Sequence, residues 1–191
     1  MKLNFATYIN TVYPLSEEVK AEVLELVQQL EYPKNYILLK QGRPCKYLWF
    51  LTKGMARYFY SNQDGKESNV WFAIDNDIIT ETPSFVHQQP SDVSIQLLED
   101  SELFAIDYNS IQSLLLKHHS FALWYIKMFE CNYVSQIEDR IGDLQFLTAK
   151  QRYEKLLVQF PSISNRISLG HIASYLNITQ ESLSRIRAGK L

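Results

Sequence analysis

Cysteine is almost missing from this chain. Cys45 and Cys131 stand far apart and alone, too few for a disulfide framework or a metal knuckle, so both are read as spectators. No apolar run approaches the ~18 residues of a membrane span. The N-terminus, MKLNFATYINTVYPLSEEV, has neither an apolar signal core nor a small-residue cleavage site, so the expectation is a cytoplasmic protein without a membrane partner. Histidine is scarce as well: His87, His118, His119 and His171 form no H-x-H pair, and none falls in a strand-like run. Nucleophile signatures and Gly-rich phosphate loops are absent too. These absences count against an enzyme, including a metalloenzyme on a cupin-like roll, which needs clustered histidines and a carboxylate.

What is present is ample core material, with 46% hydrophobic and 13% aromatic residues in 191. The net charge of −2 hides an asymmetry. Residues 143–191 hold seven Lys and Arg against three acids, +4, which leaves −6 for residues 1–142. A basic module on an acidic body is the electrostatic footprint of phosphate binding.

That basic module contains ISLGHIASYLNITQESLSRIRAG. Apolar residues at Ile172, Leu176, Ile178, Leu183 and Ile186 fall in frame, and Ala173 is small where two helices must nearly touch. Asn177 suits the positive φ that a tight helix-to-helix turn requires, and Thr179 offers an oxygen to cap the next helix. The pattern is a helix-turn-helix whose second helix can enter a DNA major groove. Its polar face carries Thr179, Gln180, Glu181, Ser184, Arg185 and Arg187, the candidate DNA-binding residues. Arg donates twice to guanine, Glu accepts from a base amino group, and Ser bonds either way.

Upstream, Val19, Val23, Leu26, Val27 and Leu30 recur with a helical period, so residues 5–30 read as a helix, its first turn capped by Ser16 with Glu17 and Glu18. From Tyr32 to Asp107 short β-rich runs (YILLK, KYLWFL, MARYFY, SNVWFAI, VSIQLL, ELFAI) alternate with turns such as Lys53-Gly54 and Asp64-Gly65, which implies a barrel, sandwich or roll. Asn109 to Lys117 reads as a short helix broken at His118-His119-Ser120. Ala122, Ile126, Phe129, Tyr133, Ile137, Ile141 and Leu144 then mark one long helix, whose stripe needs either the roll or a second copy as partner; a homodimer is expected. Phe146-Leu147-Thr148 is a hinge, and a helix from Ala149 ends at Pro161.

A β-roll, a long pairing helix and a C-terminal helix-turn-helix, in that order, resemble the CRP/FNR family of bacterial transcriptional regulators. The resemblance rests on YPKNYILLKQG, LWFLTKGMARYFYSNQDGKE, GDLQFLTAKQRYEKLL and the reader itself. It implies an α+β fold: an N-terminal double-stranded β-helix with its helix over residues 1–118, a dimerisation helix over 119–146 and an all-α helix-turn-helix domain over 147–191. It also implies double-stranded DNA, a second copy and RNA polymerase as partners. Glu181, Ser184 and Arg185 stand where the FNR branch carries its E-x-x-S-R base readers, so a palindrome with TTGAT-like halves is expected.

The chain departs from the family in three places. Thr80-Glu81 replaces the Gly-Glu of the phosphate-binding cassette, and Ser91-Asp92 stands where the family has Arg followed by Ser or Thr. The hydroxyl pair offered to adenine falls near Ile137-Glu138. Thr80, Glu81, Ser91, Asp92, Ile137 and Glu138 therefore mark a candidate effector pocket with no cation for a cyclic phosphate, and Asp92 would repel one. Cyclic AMP is not expected; the effector is another small molecule or none, and no cofactor is expected. The iron–sulfur variant is excluded for want of N-terminal cysteines. Third, the linker PSISNRIS is short and five residues follow Ile186, so the family's β-hairpin wing is expected to be missing. That departure keeps one alternative open, a sensory or protein-interaction module with a vestigial helix-turn-helix.

Overall fold

A computed structural model describes residues 2–130 and 135–190. The first helical stretch is two helices, not one: α1 (Lys2–Val12) and α2 (Glu17–Leu26), with Pro14 between them. Proline lacks the N–H that would continue the ladder and restricts the residue before it. Ser16 caps α2 by accepting from Val19 N. Leu30, expected in the helix, lies instead in β1 (Gln28–Tyr32), because Val27 turns extended and the next five residues pair with a later strand. A short apolar run fits either period, and only the partner strand decides between them.

The other strands are β2 (Ile37–Leu39), β3 (Tyr47–Lys53), β4 (Ala56–Ser61), β5 (Glu67–Ala73), β6 (Ile78–Ile79), β7 (Ser94–Leu97) and β8 (Ser101–Asp107). Every run expected as a strand contains one. Among the described residues they form two four-stranded antiparallel sheets, β1-β8-β3-β6 and β2-β7-β4-β5. The β4–β5 hairpin turns at Asp64-Gly65, where Gly65 has φ +77°. Gly54, after β3, has φ +126°, and a Cβ there would collide with Ser101 Oγ; no other residue fits. Phe50, Leu51, Ile79, Leu103 and Phe104 fill the roll, and α1 closes one end by packing Phe5 against the rings of Phe50 and Phe104.

After the roll come α3 (Thr82–His87, inserted between β6 and β7), α4 (Tyr108–Lys117), α5 (His119–Phe129) and α6 (Ser135–Phe146). The break at His118 is narrower than expected, since α5 begins at His119. The junction of α5 and α6, with Tyr133 and Cys131, lies outside the described residues, so the stripe is seen on two helices. α5 presses Phe121, Trp124 and Met128 onto the roll, and Trp124 Nε1 donates to Ile9 O. Ile126, Ile137, Ile141 and Leu144 stay 44–54% exposed, apolar surface that pairing would bury, although Ile137 and Ile141 also border the cavity between α6 and the roll.

The C-terminal module consists of α7 (Ala149–Gln159), α8 (Ile163–Arg166), α9 (Leu169–Tyr175) and α10 (Gln180–Arg187). Thr148 and Gln151 form a reciprocal capping box at the start of α7, so the expected hinge ends in a firm helix start. The expected linker contains α8, a single turn pinned by buried Ile163. The module is not separate from the roll. Met55, Phe72 and Leu98 of the roll join Tyr153, Leu156, Phe160, Ile172, Tyr175, Leu183 and Ile186 in one buried cluster.

Candidate nucleic-acid interface and effector pocket

Local chemistry shapes the helix-turn-helix. α9 ends at Leu176, Asn177 takes φ +55°, and Ile178 N donates back to Ala173 O across the turn. Thr179 Oγ1 accepts from Ser182 N and starts α10. Leu183 and Ile186 are buried against Ile172, Ala173 and Leu176, which leaves the opposite face to solvent. Thr179, Gln180, Glu181, Ser184, Arg185 and Arg187 are all exposed there. The structure brings these six together on the face of α10 and the turn before it. Thr179 differs from the rest, because its hydroxyl already serves the cap. Among the described residues Glu181, Arg185 and Arg187 form no ion pair, so their charges face outward uncommitted.

α9 is held from behind by the roll. Arg57, on β4 and buried, pairs with Glu67 at 2.6 Å and donates to Gln96 and Asn69. His171 Nδ1 sits 3.4 Å from Arg57 Nη1 and 3.2 Å from Asn69 Nδ2, and Asn69 Nδ2 also donates to His171 O. Burial, and after it the Arg57 charge, holds the imidazole below its ordinary pKa, so a neutral Nδ1 can accept from both. Arg166 of α8 binds Asp75, Glu99 and Gly54 O. Sequence reasoning missed Arg57 and Arg166; a lone Arg in a strand and a lone Arg in a linker carry no pattern.

A cavity of about 420 Å³ opens between the roll and α6. Of the candidate effector-pocket residues, Thr80, Glu81 and Ile137 line it. Ser91, Asp92 and Glu138 do not: Ser91 Oγ closes a local turn with Val93 N and O, and Asp92 and Glu138 point to solvent. The wall missed by sequence reasoning comes from β4, β5 and α6, with Tyr58, Tyr60, Val70, Trp71 and Arg140. Alternation along β4 and β5 could have suggested the aromatic wall, but nothing local marks Arg140. Glu81 caps α3 by accepting from Ser84 N at 2.7 Å, and burial, with Asp92 adding to it, raises its pKa.

Asp77 also lines the cavity and accepts from Ile74 N. Burial pushes its carboxyl up to about 6, and Asp75 adds to the shift. Its folded value lies above its ordinary one, so the folded state holds the proton more tightly. Stability is therefore lost as pH rises from about 4 to about 6 and is not regained above that. Asp77→Asn keeps an acceptor for Ile74 N and removes the buried charge. It is expected to stabilise the chain by about 1–3 kcal/mol near pH 8 and by less near pH 5, read from urea unfolding. An equal gain at both pH values would mean that Asp77 does not titrate in this window.

Residues 29–118 match the family model described as cyclic nucleotide-binding domain. No curated protein matches the chain in sequence. Among solved structures, FixK2 from Bradyrhizobium japonicum superposes with a TM-score of 0.73 at 18% identity, over 85% of this chain and 83% of that one. The c-di-GMP responsive global regulator CLP of Xanthomonas campestris gives 0.69 at 16%, over 91% of each chain. A doubly substituted mutant of CooA from Carboxydothermus hydrogenoformans gives 0.67 at 20%, over 87% and 77%. The chain has the CRP/FNR fold. In a CRP/FNR fold a cyclic nucleotide-binding roll precedes the helical module, and here the two meet through β5 and α9. No helix among the described residues is long and apolar enough to cross a membrane.

Proposed function

We propose that this chain is a sequence-specific, DNA-binding transcriptional regulator of the CRP/FNR type, acting as a homodimer on a palindromic site. The observation that carries the reading is the exposed Glu181, Ser184 and Arg185 on one face of the capped second helix of a helix-turn-helix, Glu181 in its first turn and Arg185 in its last. The exposed face of a recognition helix lies in the major groove, within reach of base edges. Arg185 reads guanine, Glu181 accepts from a cytosine or adenine amino group, and Ser184 contacts the neighbouring position. The surplus of +4 over residues 143–191 supplies the attraction to phosphate. Two copies pairing through the exposed stripe of α5 and α6 set two readers about one DNA turn apart. The effector, where one acts, occupies the cavity beside α6.

The test is selection of bound duplexes from a random DNA pool at moderate salt, without added ligand. A palindrome with TTGAT-like halves is expected. Recovery of no sequence preference, with or without cell extract, would favour the vestigial helix-turn-helix instead.

A further inference from the structure

The cavity beside α6 has an electrostatic character opposite to that of a phosphate site. Two carboxylates line it, Asp77 and Glu81, against one cation, Arg140. That cation is already engaged. Its guanidinium lies 3.9 Å over the Tyr175 ring, and Nη2 donates to Tyr175 O, both on α9 of the reader. Glu81 occupies the start of α3, where it accepts from Ser84 N, so an incoming anion would meet a resident one. Drawing a phosphate into this cavity would desolvate its charge with no uncommitted cation among the described lining residues to offset it.

Apart from the hydroxyls of Thr80 and Thr82, the rest of the lining is apolar and aromatic. Tyr58, Tyr60 and Trp71 offer rings from the roll, and Ile137 and Ile141 close the α6 side. A volume of about 420 Å³ is within the range of small-molecule sites, and rings in such walls favour stacked or edge-on planar partners. The carboxylates add acceptors for a donor group on the ligand.

We infer that this cavity binds a neutral, planar aromatic molecule bearing a hydrogen-bond donor, and that Arg140 transmits its occupancy to the helix-turn-helix. The ligand class rests on the cavity alone, whereas the transmission rests on the regulator reading above. Arg140 belongs to both surfaces: it lines the cavity and clamps Tyr175. A ligand against Ile137, Arg140 and Ile141 displaces α6 or its guanidinium, and α9 loses a contact it has only while the cavity is empty. This is a population shift driven by differential contacts in two states.

The test uses the full chain and two dyes that share one aromatic frame. N-phenyl-1-naphthylamine is neutral with an N–H donor; 8-anilinonaphthalene-1-sulfonate adds a sulfonate. The neutral dye is expected to bind at least about tenfold more tightly than its sulfonate, and cyclic AMP should not displace it. Val70→Trp, which fills the cavity, and Tyr60→Ala, which removes a half-exposed ring from its wall, should each weaken the neutral dye. Leu116→Ala, on the exposed face of α4, should not. Equal or tighter binding of the sulfonate, displacement by cyclic AMP, or unchanged binding in both wall variants would overturn the ligand class. With the neutral dye bound, amides of Leu169–Tyr175 should exchange faster, and Arg140→Gln should already show that rate without dye. Dye binding with unchanged exchange would overturn the transmission and leave the ligand class standing. Neither result depends on the DNA selection, so failure of the regulator reading is seen separately.

Discussion

Arg185→Ala is expected to remove sequence discrimination at one base pair of each half-site while leaving the fold untouched. Arg185 is exposed on α10 and, among the described residues, forms no ion pair, so its removal opens no cavity and strands no partner. Its thermal midpoint should match that of the unchanged chain. On DNA the loss is one bidentate guanine contact per half-site, about 1–3 kcal/mol each, which a dimer counts twice; the palindrome should bind roughly 30-fold to 10⁴-fold more weakly. The loss should be confined to one base pair in each half. Titrations with single-substitution duplexes check this. A uniform loss across all sequences, with a shallower salt slope, would make Arg185 a phosphate contact instead.

Phe72→Ala should have the largest structural effect. Phe72 is 1% exposed, and its ring centre lies 5.1 Å from that of Tyr175, between the roll and α9. Removing a fully buried phenyl ring costs about 3–5 kcal/mol in transfer and cavity terms. Here the loss falls inside the cluster that joins the roll to the helix-turn-helix. The roll keeps its own core of Phe50, Phe104, Leu51 and Leu103, and the reader keeps Leu183 and Ile186 against Leu176. The expected result is undocking: amides of α9 and α10 exchange far faster, while those of β3 and β8 hold. Equal protection loss in both would show that roll and reader unfold as one unit.

Much of the reader was legible because its determinants are local. Asn177 takes a positive φ because its short polar side chain tolerates it, and Thr179 caps because its oxygen reaches an N–H three residues on. Both interactions span a few residues. The same holds for the Asp64-Gly65 hairpin and for Ser16. Elsewhere one local pattern served two structures. Leu26, Val27 and Leu30 fit a helical period, yet Leu30 pairs with Leu103 in a strand. β6 is two residues long and exists only because Trp49 and Phe50 lie beside it.

The candidate pocket was legible only in part, for a related reason. Thr80 and Glu81 stood out through a family motif, and Ile137 through its place on the long helix. Arg140, Trp71 and Tyr60 had no local signal, since what makes them a wall is the approach of α6 to the β4–β5 hairpin. The contacts of Arg57 and Asn69 with His171 span more than 100 residues in the chain.

The order of residues alone was enough for the helix-turn-helix with the polar face of its second helix and for the strand and turn rhythm of the roll, because each is a matter of which side chains lie within a turn or a pleat of one another. It took the folded chain to show that the reader leans on the roll through Phe72 and Tyr175, and that one arginine joins the cavity to it. Those depend on packing between distant segments, and burial makes or breaks such contacts only once the chain has closed on itself.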